Sequence, residues 1–208
     1  MNINNKELLD WFNNLEIYEQ KRLYYIDLGI NEAIKQEDSN AIGRVMANAG
    51  EHIVRDYLQK QIETIITTRA EEDGGLINNG EGYDLSYKNI KINVKYRGGK
   101  VNVDKPNLHL EQTRRYSEKN INNNKTHNGH VRYSLEEVDI FIFIIPNKNV
   151  DIDKFQFIAI PSRELLDVKL NNNLLVRSVG MDIYNKYKNK NIKEVLEEEL
   201  KIKNEYQK

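Results

Sequence analysis

The stretch Gly80–Gly99, GEGYDLSYKNIKINVKYRGG, decides the fold. Within it Ile90, Ile92, Val94 and Tyr96 alternate with Lys91, Asn93, Lys95 and Arg97. An apolar–polar period of two describes a β-strand with one face buried and the other polar. The preceding SYKN (Ser86–Asn89) supplies a turn, so Asp84, after Gly80 and Gly82, begins an antiparallel partner strand. This hairpin puts Asn93 and Lys95 on one face beside Arg97, and Asp84 arrives next to them.

Upstream, the first sixty residues read as helical. Ile17, Leu23, Ile26 and Ile30 recur at roughly helical spacing, and Ser39 is an N-cap candidate for a second helix. Ile42, Val45, Met46, Ala49, Ile53 and Tyr57 mark the buried stripe of that helix. IETIITT (Ile62–Thr68) is β-branched and strand-like, and EEDGGLINNGEG is a turn or loop. Downstream, a helix is expected around LHLEQTRRYSEK. VDIFIFIIP (Val138–Pro146) is continuously apolar, as in an interior strand covered on both faces. FQFIAIP reads as its neighbour, SRELLD as a short helix capped by Ser162, and IKEVLEEELKIKNEYQK as an amphipathic helix. Together these predict one α/β domain, a central mixed sheet flanked by helices. Its parts are a helical N-terminal region (1–38), a core (39–166) and a C-terminal helical region (167–208). No internal repeat or Pro/Gly/Ser-rich linker divides it.

Composition narrows the chemistry. The 208 residues include no cysteine, which excludes thiol nucleophiles, disulfides and Cys-ligated zinc. The formal net charge is −1, so a nucleic-acid partner must be met by a local patch. Such a patch exists: from Asp84 to Arg132 there are eleven Lys or Arg against four acids, a difference of +7. His109, His127 and His130 lie there too, at spacings that match no standard zinc site. MNINNKELLDW lacks the basic flank and apolar core of a signal peptide, and the apolar run Ile140–Ile145 is too short to span a bilayer. A cytoplasmic protein without membrane contact is expected.

Hydrolysis of a phosphodiester needs a cation to neutralise the scissile phosphate and acidify the attacking water. Mg²⁺ prefers oxygen ligands, and a lysine beside it stabilises developing charge or orients the water. A carboxylate, a second oxygen ligand and a lysine on one sheet surface meet that requirement. In these residues the chain resembles the PD-(D/E)XK nuclease superfamily, and within it the type II restriction endonucleases. Their pattern is an acid, a spacer of roughly ten, then acid-any-Lys on the second strand of a hairpin. Asp84, Asn93 and Lys95 occupy those places, with Asn93 where the pattern has Asp or Glu. Many members carry a glutamate on the preceding helix, and NAGEHIVRDYL is similar to that segment, pointing to Glu51. QTRRY (Gln112–Tyr116) is similar to a Gln-x-x-x-Tyr pattern of RecB-like nucleases.

The resemblance implies a restriction endonuclease-like fold and a Mg²⁺-dependent, sequence-specific endonuclease for double-stranded DNA. Asp84, Asn93 and the Val94 carbonyl would hold the metal, Glu51 would complete the shell, and Lys95 would assist the water. An aspartate at position 93 should then preserve or raise cleavage. Arg97, His109, Gln112, Arg114, Arg115, His130 and Arg132 are the expected DNA contacts. A homodimer and a cognate DNA methyltransferase are the expected partners. Beside this stand a structure-specific nuclease of junction-resolvase or repair type, and a DNA-binding protein that has lost catalysis. More plainly, Asp84 and Lys95 would also suit an ordinary hairpin with solvated charges, and Glu51 a surface pair with Arg55.

Overall fold

In the computed structural model, residues 10, 13–14, 17–35, 41–62, 66–68, 82–96, 107–110, 112–113, 130–145, 156–169 and 173–206 are described. Two helices come first, α1 (Ile17–Lys35) and α2 (Ala41–Gln61). The strands are β1 (Thr67–Thr68), β2 (Leu85–Tyr87), β3 (Ile90–Tyr96), β4 (Gln112–Thr113), β5 (His130–Val131), β6 (Ile140–Ile145) and β7 (Gln156–Pro161). A 3-10 turn (Ser162–Leu165), α3 (Met181–Tyr187) and α4 (Ile192–Tyr206) follow.

The main sheet has the order β1-β2-β3-β6-β7, and β4 pairs with β5 apart from it. β3 runs parallel to β6 and all other pairs are antiparallel, so the expected mixed α/β sheet is present. Every residue of β6 is buried, which is why its sequence shows no alternation: both faces are covered. Phe141 and Phe143 are among the largest fully buried side chains, each worth about 1.5–3 kcal/mol of transfer free energy.

α2 lies on the sheet face that carries Tyr96 and Ile144. At Gly50 an added Cβ would stand 3.1 Å from Tyr96 Cβ and 3.3 Å from Ile144 Cδ1, so the missing side chain lets the helix come close. Ala49 and Ile53 of the expected stripe are buried, together with Val54 and Leu58, and Tyr57 stacks on Phe157 at 4.3 Å. The side chains of Ile42 and Met46, and all of Ser39, lie outside the described residues. α1 packs on α2, and Asn48 Nδ2 donates to the Gly29 carbonyl across the crossing.

At Gly29 an added Cβ would run into the Val45 carbonyl oxygen of α2. Gly29→Ala gains up to about 1 kcal/mol of helix propensity. Overpacking against backbone costs about 1–3 kcal/mol, so the clash decides the sign. The variant is expected to be less stable by about 1–2 kcal/mol in urea unfolding. Equal or greater stability would mean that α1 does not sit where it is described.

Two expectations are corrected. Leu108–Leu110 and Gln112–Thr113 are extended rather than helical. Leu108 and Leu110 are both buried with exposed His109 between them, which is strand alternation. Their backbone is taken by residues 177–179: Leu110 N–H donates to the Arg177 carbonyl and Val179 N–H to Leu108. Pairing with distant backbone overrides local helix preference there. Ser162 does not cap its helix. The segment is a single 3-10 turn with Pro161 in the N-cap place, and the Ser162 N–H donates instead to the Asp139 carbonyl at 2.8 Å. Of IETIITT only Thr67–Thr68 is described as strand. The Glu71–Gly82 loop lies outside the described residues except for Gly82. Among the described residues no helix is long and apolar enough to cross a membrane.

Candidate active site

β2 and β3 meet in a two-residue turn, Lys88–Asn89, with Lys88 in the left-handed region at φ 54. β2 is three residues long and β3 seven, so beyond Leu85↔Ile92 no strand of the described residues lies beside that edge of β3. An unpaired N–H at such an edge needs another acceptor. Asp84 supplies one. Its backbone N–H donates to the Ile92 carbonyl at 2.8 Å, and its Oδ2 accepts the Val94 N–H at 2.7 Å. In an extended strand a residue's N–H and C=O point to the same side, so the Val94 carbonyl looks toward the same edge. A carboxylate offers about four lone-pair sites, so binding Val94 does not exhaust Asp84 as a ligand.

Asn93 stands on the opposite face from Ile92 and Val94 and is 3% exposed. Its Nδ2 donates to the Gly82 carbonyl at 2.7 Å, which fastens the chain ahead of Asp84 onto β3. Gly82 has φ 79, a conformation that glycine adopts at little cost. Asn93 Oδ1 is buried with no hydrogen-bond partner. An orphaned buried acceptor costs about 1–3 kcal/mol, and a cation or water relieves it. The oxygen set formed by Asp84, the Asn93 amide and the Val94 carbonyl suits a hard cation such as Mg²⁺. Among the described residues no group of three or more His, Asp and Glu comes together, so amide and backbone oxygens would have to complete the shell.

Lys95 shares the face of Asn93. Its Nζ donates to the Tyr133 hydroxyl at 2.6 Å and lies 4.7 Å from the ring centroid. Tyr133, thirty-eight residues downstream, was not foreseen: no spacing within the hairpin points to it. Glu51 follows Gly50, where α2 packs against Tyr96 at the end of β3, and is half-buried there. Arg55 pairs with its neighbour Asp56 at 3.1 Å.

The expected DNA contacts divide. His109 is exposed in the strip that pairs with Ser178. The backbones of Gln112 and His130 belong to the β4–β5 pair, where Thr113 is opposite His130 and Gln112 opposite Val131. Arg97, Arg114 and Arg115 lie outside the described residues, as does His127. Arg132 is held inward, its Nη1 3.0 Å from Asp167 Oδ2. That hydrogen bond holds the Asp167 carboxyl below the usual carboxylate range. A depressed carboxylate stabilises the fold above its unfolded pKa of about 3.9, and the benefit is lost as pH falls through the lower folded value. Wild type is therefore expected to melt above Asp167→Asn at neutral pH, with the gap closing in melts carried below about pH 4. A gap that persists undiminished in acid would show that the ion pair is not its source.

At the other end of β3, Lys91 N–H donates to Asp139 Oδ2 at 2.7 Å, and Lys203 Nζ reaches the same oxygen at 2.6 Å and the Asn89 carbonyl at 2.7 Å. Asp139, Arg163, Glu199 and Lys203 line a cavity of about 700 Å³ with Ile202 and Tyr206. Burial raises the Glu199 carboxyl above its ordinary range, although Arg163 stands 2.9 Å away and opposes the shift. These charges satisfy one another and fasten α4 to the sheet.

No family model, curated protein or solved structure matches this chain.

Proposed function

We propose that the chain is a Mg²⁺-dependent endonuclease of the restriction-endonuclease type, acting on duplex DNA at a short specific site. The observation that carries this is Asn93: a buried amide oxygen without a partner, two residues before Lys95 and one before the backbone that Asp84 binds. The mixed sheet supports the same reading, with a helix laid on the hairpin and a buried strand parallel to β3. It agrees with the restriction endonuclease-like fold that the resemblance implies.

In this reading Asp84, Asn93 Oδ1 and the Val94 carbonyl hold the cation, with Glu51 at the edge of the shell. When bound, Mg²⁺ supplies charge neutralisation at the phosphate and a more acidic water. Asp84 orients the cation's site by its hold on β3. Lys95 sets a positive charge against the phosphate oxygens as the bond to water forms and the bond to the leaving sugar oxygen breaks. His109 and the basic segment around it meet the DNA backbone. A homodimer matches a two-fold symmetric target, and a cognate methyltransferase protects the host's own sites.

One observation favours a second reading. Asn93 Nδ2 is satisfied by Gly82, so the asparagine also has a purely structural use, as in a DNA-binding protein without catalysis. Incubation of supercoiled plasmid with the protein, with and without Mg²⁺, separates the two. Discrete linear fragments that require Mg²⁺ support the endonuclease. Retarded but uncut DNA overturns it in favour of the binding protein, and cutting confined to branched junctions points to a structure-specific nuclease.

A further inference from the structure

We propose that Tyr133 is the positioning residue for Lys95, holding the lysine's tip stationary beside the reacting phosphate. The catalytic consequence rests on the nuclease reading above; the contact does not.

A lysine on a strand's polar face ordinarily samples many rotamers, because its four-carbon stem carries a compact, strongly hydrated charge. Lys95 is instead tied at its tip. Its Nζ donates to the Tyr133 hydroxyl at 2.6 Å, a short distance for such a bond. The 4.7 Å to the ring centroid places the ammonium close to the ring as well. The acceptor cannot follow the lysine about. Tyr133 is 3% exposed, and its ring meets Phe141 edge-on at 5.0 Å. The Tyr133 carbonyl takes the Leu175 N–H at 2.9 Å, Ser134 is bridged to Leu174, and Arg132 is locked to Asp167. Phe141 is the register partner of Asn93, and Phe143 that of Lys95. The tyrosine ring therefore packs on the sheet face that carries both site residues.

A lysine fixed at its tip sets its charge at one point, which suits Lys95 to electrostatic stabilisation of the phosphate.

Tyr133→Phe removes the hydroxyl and keeps the ring against Phe141. In cleavage of plasmid DNA with Mg²⁺, kcat is expected to fall about tenfold to a hundredfold while KM stays within about twofold, as for loss of orientation. The ¹³Cε relaxation of Lys95, followed by NMR without DNA, should show a more mobile side chain in the variant than in wild type. An unchanged kcat in the variant overturns the proposal. A wild type that cuts no DNA overturns the nuclease reading instead. The Lys95 relaxation then decides alone: greater mobility in the variant upholds Tyr133 as the group that holds the lysine, and equal mobility overturns that too.

Discussion

If the chain is the proposed nuclease, replacement of Asp84 by alanine is expected to lower Mg²⁺-dependent cleavage on the order of 10³-fold, because it removes the charged oxygen proposed to hold the cation. With an amide at position 93, Asp84 is the only carboxylate among the three proposed hairpin ligands, so little would remain to hold a divalent cation. Alanine also strips the Val94 N–H of its acceptor, a loss of about 1–3 kcal/mol. The two effects separate in Asp84→Asn, whose amide oxygen can still accept from Val94 but carries no charge. That variant should unfold within about 1 kcal/mol of wild type in urea and still cut poorly. If it cuts as well as wild type, Asp84 is a clip for the strand and not a metal ligand.

The second large effect is at Asn93. On sequence alone, an aspartate there should preserve or raise cleavage. The Gly82 contact changes the balance. Asn93 Nδ2 donates to that carbonyl at 2.7 Å, and an aspartate would set oxygen against oxygen in a site only 3% exposed. Without a cation, Asn93→Asp is expected to cost about 2–4 kcal/mol, a fall in Tm of roughly 5–15 °C. With Mg²⁺ at millimolar concentration much of that loss should return, because the new carboxylate gains a counter-charge, and wild type should gain less. Melting curves with Mg²⁺ and with EDTA read this without any DNA. A variant that Mg²⁺ fails to restabilise would remove Asn93 from the ligand set.

The hairpin was legible because its evidence is local. Alternation over Ile90–Tyr96 predicts the strand and SYKN a turn before it, which the structure narrows to Lys88–Asn89 with Ser86 and Tyr87 in β2, and Asp84 comes beside β3 at Val94. The unbroken apolar run of β6 likewise announces a strand covered on both sides. What could not be read depends on long-range pairing. Leu108 and Leu110 sit within a segment of fair helix propensity, and only the backbone of residues 177–179 makes them extended. Tyr133 and Gly82 complete the site through contacts that no spacing encodes, one from a distant strip and one through a main-chain carbonyl. Arg132 shows the converse: as one more basic residue in a basic segment it reads as a phosphate contact, yet Asp167 draws it inward.

The Lys203 fastening has a consequence for how the protein comes into being. The turn of the hairpin is closed by a side chain 114 positions further along the chain. On a ribosome, Asp84 and Asn93 emerge long before the residue that secures their turn, and contacts so remote in sequence form late. Until then the hairpin is held by its own short ladder, by α2 and by β6 once that strand has emerged, without the fastening at its turn. Maturation of the site should thus trail synthesis of its residues, with helix α4 as the final fastener.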